Sequence, residues 1–372
     1  METPTPEVNR VQAQTPPTTA PTPTTGLVLI SKSLSAFKRP DADDAEELIK
    51  DRYLCRGGGI MLFGGTGLGK SSLAIQLPAQ FALGRGDFGI EPARPLRSLI
   101  IQSENDDGDV AEFRDGTFAG YDYSGSDINR IQESVYVYTE VNKRGRPFLY
   151  EVAEPLIAHH KPDLVWMDHA LAYFNKNPSS PEDVGQFLRE WLNPILAKHR
   201  CGGVILHHTP KPSEKRLEWS DRDYSYGGFG SVEWSGWARG VLSIEEVSDM
   251  VFLLRASKRG MRLKWKDANG KATCRRYIAW SRDKIFWRTP PASELPEPKK
   301  TVPVMDREDF ANFLINAHPT RMSWEEWWKA AQKSFGGPKT SDKPFRALRD
   351  SLRKESRCYY NPKSRDWGVQ PG

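Results

Sequence analysis

Ile60-Met61-Leu62-Phe63-Gly64-Gly65-Thr66-Gly67-Leu68-Gly69-Lys70-Ser71-Ser72 decides the fold of this 372-residue chain. The first four residues form a short apolar run that ends in glycines. From Lys70 to Leu83 apolar residues recur at helical spacing. Strand, glycine-rich turn and helix, in that order, match G-x-x-x-x-G-K-[ST] in both motif and context. Glycines let backbone N–H groups turn inward, and the helix starting at Lys70 aims its positive dipole end at the same place. Gly64, Gly65, Thr66, Gly67, Leu68, Gly69, Lys70, Ser71 and Ser72 are therefore expected to cradle the phosphates of ATP. Lys70 would neutralise the β- and γ-phosphates, and Ser71 would offer its hydroxyl to Mg²⁺.

Such a loop needs a carboxylate at the end of a buried strand. Leu164-Val165-Trp166-Met167-Asp168 supplies four apolar residues and then Asp168, a second ligand for Mg²⁺. A water nucleophile must also be oriented and deprotonated. Glu104, just past the apolar run Ser98–Gln102, is the expected base. Val204–His207 is the next strand. A polar residue at its end can touch the γ-phosphate, and of His207 and His208, which face opposite ways on a strand, His207 is favoured.

Outside these runs, Val135–Thr139 reads as a strand, and Phe148–His159 and Val184–His199 as helices. Short buried strands separated by helices predict βαβ units on a parallel sheet. After Gly240 the pattern changes. Val241–Ile244, Val251–Arg255, Arg262–Trp265, Arg276–Ala279 and Ile285–Trp287 have few helices between them, and Asp267-Ala268-Asn269-Gly270 signals a hairpin turn. The expected fold is α/β, a parallel core with added antiparallel strands.

Two breakers divide the chain. Residues 1–26 hold 6 Pro and 8 Thr and read as a disordered tail. Thr289–Pro303 holds five prolines and reads as an extended linker. Between them lies the body, 27–288, and beyond them a unit at 304–372. The net charge is +5, from 53 Lys+Arg and 48 Asp+Glu. Residues 299–372 hold 15 and 9 of these, a net of +6, so the remainder, with 38 and 39, is at −1. No apolar run approaches the length of a membrane span, and no secretory signal pattern is present. Cys55, Cys201, Cys274 and Cys358 lack C-x-x-C spacing, which argues against zinc and a disulfide framework and for a soluble protein in a reducing compartment.

The C-terminal unit reads as three helices and a hairpin. Asp306–Ala317 is the first helix. Ser323-Trp324-Glu325-Glu326 is a capping box opening the second. Asp342–Ser356 is the third, with Lys343, Arg346, Arg349, Arg353 and Arg357 along one side. Cys358–Tyr360 and Asp366–Val369 flank a basic tip. This arrangement resembles a winged helix, in which Arg346, Arg349 and Arg353 would meet duplex DNA.

The order of motifs over about residues 45–260 resembles the RepA-like branch of hexameric helicases, RecA/DnaB-type ATPases common in plasmids, phages and other mobile elements. The glycine-rich loop, Glu104, Leu164–Asp168, His207-His208-Thr209, Ser231–Val241 and the stretch Glu47–Gly59 carry the likeness. The resemblance implies a RecA-like P-loop core, a homo-hexameric ring and a cytoplasmic location in a bacterial host. It also implies that Arg239 reaches a neighbour's γ-phosphate, with Lys258 and Arg259 at a second basic position. Trp234 and Trp237 depart from the family pattern in bulk. Loops at Tyr173–Pro181 and Lys211–Gly230 match those that face single-stranded DNA in the ring channel. The second of these carries Lys211, Lys215 and Arg216 among aromatics.

The expected function is thus an ATP-dependent DNA helicase or translocase in DNA replication. The alternatives are an ATP-switched DNA-binding regulator or recombination accessory without unwinding activity, and a filament-forming recombinase. A recombinase would need a polymerisation motif, and the Pro/Thr tail shows none.

Overall fold

The structure, a computed structural model, describes residues 31, 33–41, 43–209, 230–296, 323–326, 328–329, 343–355, 358–363 and 366–369. The Pro/Thr tail, the distal part of the proline linker, the expected helix at 306–317 and the loop residues Lys211, Lys215 and Arg216 lie outside these. The chain forms two compact units, Met1–Glu46 and Glu47–Gly372. Among its described residues the first holds one 3-10 turn, Leu34–Ala36.

In the second unit, β1 (Glu47–Ile49) and β2 (Leu54–Cys55) form a small antiparallel pair. Then come β3 (Gly59–Gly64), β4 (Ser98–Gln102), β5 (Val135–Thr139), β6 (Leu164–Asp168) and β7 (Gly202–His208). β8 (Gly240–Ser248), β9 (Val251–Lys258), β10 (Arg275–Trp280) and β11 (Trp287–Arg288) follow. β3 to β11 build one nine-stranded sheet, ordered β11-β10-β9-β8-β3-β7-β6-β4-β5. Pairs from β5 across to β8 are parallel, and those from β8 to β11 are antiparallel. This is the mixed α/β sheet that the apolar runs predict. α1 (Lys70–Ala82) follows β3, and α2 (Asp107–Tyr121) and α3 (Gly125–Ser134) follow β4. No helix among the described residues is long and apolar enough to cross a membrane.

The inner parallel strands β3, β4, β6 and β7 are largely apolar because both of their faces are covered, whereas the edge strand β5 is partly exposed. Ile60, Leu62, Trp166, Val204 and Leu206 pack with Leu73, Leu77 and Phe81 of α1. Their neighbours in sequence, Met61, Phe63, Val165, Met167 and Ile205, pack on the opposite face with Phe187, Leu188, Ile195 and Trp234. That two-residue alternation fixes which way each strand-end side chain faces.

One expected strand is absent. Arg262–Trp265 overlaps a 3-10 turn, Gly260–Leu263, bounded by Arg259 and Lys264 at φ 56° and 53°. Trp265 turns inward instead, 2 % exposed, and its Nε1 donates to Gly89 O at 2.9 Å. Anchoring the indole breaks the alternation a strand would need.

In the C-terminal part, a helix, Lys343–Lys354, lies within the span expected for the third helix, and β12 (Cys358–Asn361) and β13 (Asp366–Val369) form an antiparallel hairpin. Ser323 and Glu326 form the capping box, with Glu326 N on Ser323 Oγ and Ser323 N on Glu326 Oε2. Arg349, one of the three arginines expected at duplex DNA, is less exposed than Arg346 and Arg353. Its guanidinium lies 4.5 Å from the Trp324 ring centroid and 4.2 Å from that of Trp367, and it also pairs with Asp350 at 2.7 Å. Stacking between two indoles holds its charge inside the fold. Arg346 and Arg353 are exposed.

Candidate active site

The glycine-rich turn links β3 to α1 at the carboxyl end of the parallel strands. Gly67 and Gly69 both sit at φ 78°, the left-handed region that a side chain rarely adopts. A Cβ on Gly69 would also stand 2.1 Å from the Trp280 ring. Lys70 is 5 % exposed. Its Nζ donates to Gly64 O at 3.1 Å and Gly65 O at 2.7 Å, and lies 3.4 Å from His208 Nδ1. Burial lowers the Lys70 pKa to about 8, against the opposing pull of Asp168 and Glu104. Ser72 turns into the fold and hydrogen-bonds Gly69 O at 2.8 Å.

Asp168 ends β6 and is 6 % exposed. Burial raises its pKa, while the Ser71 hydroxyl hydrogen-bonds its carboxyl and favours the charged form. The expected pair of oxygen donors is thus adjacent. A hydroxyl and a carboxylate are hard oxygen ligands that suit Mg²⁺.

Glu104 stands on the turn after β4, and Gln102 holds that turn. The Gln102 side chain, 2 % exposed, accepts from Glu104 N at 3.1 Å and Asn105 N at 2.8 Å, and donates to Asn105 O at 2.7 Å. The cap of α2 is Asp106, which accepts from Asp109 N at 2.9 Å. Glu104 is therefore not the helix cap, and its Oε1 lies 2.9 Å from His169 Nε2. His169 in turn lies edge-on to His208, with ring centroids 4.3 Å apart. Ligand-type atoms of Glu104, His169 and His208 all fall within 4.8 Å of one another.

The expected placement of His207 is corrected. β7 lies between β3 and β6, and its alternation sends His207 to the face away from α1. His207 is fully buried between Phe63 and Trp234, at ring-centroid distances of 5.6 and 4.8 Å. Its Nδ1 donates to His208 O at 2.8 Å, and its Nε2 has no hydrogen-bond partner among the described residues. His208 is the histidine that reaches the loop, with Nδ1 3.4 Å from both Thr66 Oγ1 and Lys70 Nζ.

Burial pulls the His207 pKa from 6.5 down to about 4. Below pH 6.5 the unfolded chain binds a proton that the folded chain does not, so stability falls as pH drops from 6.5 to 4. The loss from this group should total about 3 kcal/mol. Burial lowers the pKa of His208 to about 4 as well, so it acts in the same window with the same sign. Urea unfolding of His207→Asn from pH 7 to pH 4 is expected to show a flatter decline than the parent. Equal slopes would contradict a buried neutral imidazole.

Arg239 lies at the other end of the sheet. Its N donates to Gly59 O at 2.7 Å, at the amino end of β3, and its Cγ lies 3.2 Å from where a Gly58 Cβ would be. With a rise of roughly 3.3 Å per residue, six-residue β3 puts the loop about 17 Å away. Arg189, Arg239, Lys258 and Arg259 line a cleft of about 430 Å³ there with Gly57, Gly58 and Gly59. Burial and then the neighbouring Arg189, Arg259 and Arg239 push the Lys258 pKa down. The two bulky tryptophans key the helix Glu233–Trp237 into place. Trp237 Nε1 donates to Asn193 Oδ1 at 2.7 Å, and its ring fills the space a Gly59 Cβ would need.

The segment Tyr173–Pro181 differs from its expected role at one end. Tyr173 and Phe174 are buried, Tyr173 stacked on Phe148 at 4.0 Å, while Asn175, Lys176 and Asn177 are exposed.

Residues 37–214 match the AAA domain family. That span takes in the glycine-rich loop, Glu104, Asp168, His169 and the histidine pair, and it supports an ATPase of the AAA/P-loop class. No curated protein matches the sequence.

Proposed function

We propose that this chain is an ATP-dependent DNA helicase or translocase of the RepA-like type, acting in DNA replication as a homo-hexameric ring. The observation that carries this reading is the separation of two groups of residues across the sheet. Lys70, Ser71, Glu104, Asp168 and His208 stand at the carboxyl end, and Arg239 stands at the amino end in a cleft of four cations. An arginine so placed cannot serve its own loop. It can serve the loop of a second copy, and a closed ring gives every loop such a neighbour.

In this reading the loop N–H groups and Lys70 hold the phosphates of ATP, and Ser71 and Asp168 hold Mg²⁺. Bound there, Mg²⁺ would supply positive charge to offset that of the phosphates. Glu104 accepts the proton of the attacking water. His169 keeps the Glu104 carboxylate in place through its 2.9 Å contact, and His208 links that pair to Lys70. Arg239 of the adjacent subunit stabilises charge as the γ-phosphate leaves. Lys211, Lys215 and Arg216 would meet single-stranded DNA in the channel. Arg346 and Arg353 would meet duplex at the C-terminal part.

The decisive experiment is strand displacement on a forked duplex, run beside sizing with ATP. ATP-dependent unwinding by an oligomer is expected. A monomer that binds DNA without unwinding it would instead favour the regulator. His169→Ala is expected to lower kcat about ten- to hundredfold with KM nearly unchanged, because the base is misplaced while the phosphates stay bound. His169→Gln, which keeps a donor, should recover part of the loss. A rise in KM with kcat intact would place His169 in binding instead.

A further inference from the structure

Three strands that are neighbours in the sheet deliver three metal-ligating side chains to one spot. The order β7-β6-β4 brings together His208, the last residue of β7, His169, the first residue after β6, and Glu104, two residues past β4. Glu104 Oε1 and His169 Nε2 are 2.9 Å apart, and the His169 and His208 rings meet edge-on at 4.3 Å. One ligand atom from each of the three lies within 4.8 Å of the other two. Among the described residues no other three His, Cys, Asp or Glu side chains converge in this way.

Two imidazoles and one carboxylate differ in kind from the oxygen pair of Ser71 and Asp168. Mg²⁺ prefers oxygen, whereas imidazole nitrogen suits Zn²⁺ and its first-row neighbours. Two His and one Glu can hold Zn²⁺ with a fourth position left for water or a phosphate oxygen. Zn–N and Zn–O bonds of about 2.0–2.1 Å in a tetrahedron set ligand atoms about 3.3 Å apart. The three side chains stand near that spacing, so modest rotation completes it, and Glu104 has the room, with its side chain 61 % exposed. The Lys70 ammonium, 3.4 Å from His208, works against a second cation here, and the carboxylates of Glu104 and Asp168 work for it.

We propose that Glu104, His169 and His208 bind Zn²⁺, and that zinc bound there stops ATP hydrolysis. Zinc takes the carboxylate that is to accept the proton of water, and it replaces the 2.9 Å contact by which His169 holds that carboxylate. It leaves the glycine-rich loop and Lys70 in place, so ATP still binds. The inhibitory half rests on Glu104 being the base of the proposed reaction, and the metal site itself does not.

Calorimetric titration of the full chain with Zn²⁺ in excess Mg²⁺, without nucleotide, tests the site, with Co²⁺ as a spectroscopic stand-in. Visible cobalt absorption without a thiolate charge-transfer band is expected, which sets the triad apart from Cys55, Cys201, Cys274 and Cys358. Glu104→Gln and His169→Gln, which keep side-chain size, are each expected to weaken Zn²⁺ about tenfold or more, since losing a ligand costs at least as much as losing an outer-shell partner. Zinc affinity unchanged in both variants, or a parent cobalt spectrum dominated by thiolate, would overturn the site and leave the ATPase reading standing. The parent spectrum needs no variant, so it decides the site even where a variant fails to fold. With free Zn²⁺ held by a metal buffer, kcat of the parent on Mg-ATP is expected to fall about tenfold or more with KM within about twofold. Zinc held by the triad with kcat unchanged would overturn the inhibition and remove Glu104 as the base. A parent that binds zinc through the triad but never hydrolyses ATP would overturn the proposed function and leave the metal site in place.

Discussion

Lys70→Ala is expected to abolish ATP hydrolysis, with a loss of at least about 10²–10³ in kcat. The ammonium is buried at the point where β3 gives way to α1, within 3.1 Å of two loop carbonyls and 3.4 Å from His208. Alanine carries neither the charge nor the reach. Because the residue sits on the first turn of α1, alanine also fits the helix, so loss of activity will not be a folding defect. Circular dichroism should match the parent while phosphate release disappears. Burial sets the Lys70 pKa at about 8, so kcat/KM of the parent should decline as pH rises through that value, where the free protein gives up the charge. Turnover retained by Lys70→Ala would remove the assignment of the loop.

Arg239→Ala is expected to lower kcat by about 10³ or more, the range found when a trans arginine is lost. The sharper result comes from mixing. If Arg239 acts across an interface, Lys70→Ala and Arg239→Ala are each inactive alone but complement each other. Their mixture places an intact loop against an intact arginine at roughly one interface in four. Recovered phosphate release on mixing is therefore expected, and it should vanish on dilution below the assembly concentration. A mixture as inactive as its parts would mean that both residues must belong to one chain, which the roughly 17 Å between them along β3 makes untenable. That outcome would remove the arginine from the mechanism.

The sheet was legible because its inner strands are buried on both faces and its edge strand β5 is still rich in β-branched and aromatic residues. Ser98–Gln102 and Val135–Thr139 stand where their apolar runs put them, and the switch to antiparallel pairing after Gly240 follows the disappearance of helical spacing. The misread stretch, Arg262–Trp265, is governed by a contact between Trp265 and Gly89, more than 170 residues distant in sequence. The site was legible where chemistry is local. Gly64–Ser71 and Asp168 follow from motif and flank. His169 was missed because its partner, Glu104, is 65 residues away, and no local spacing announces that pair. The choice between His207 and His208 turns on which face of β7 α1 covers. Strand alternation alone shows that the two differ and does not say which one meets the loop. Arg349 fits a basic helical stripe with Arg346 and Arg353, and the stripe does not tell that Trp324 and Trp367, from other segments, lie closest to Arg349.

The pairing between Gln76 and Trp287 has a consequence for where this ATPase ends as a physical object. The Gln76 side chain donates to Trp287 O at 2.8 Å and accepts from Trp287 N at 2.9 Å, so a helix side chain takes the role of a strand neighbour for β11. The helix that begins at the phosphate loop is thereby spliced to the last strand of the sheet, 211 residues later. The family match stops at residue 214, short of β8 to β11. A recognisable segment and a self-sufficient machine part are different things here. The borders of the first fall inside the second, and the final ladder of the sheet is the back wall of the phosphate loop.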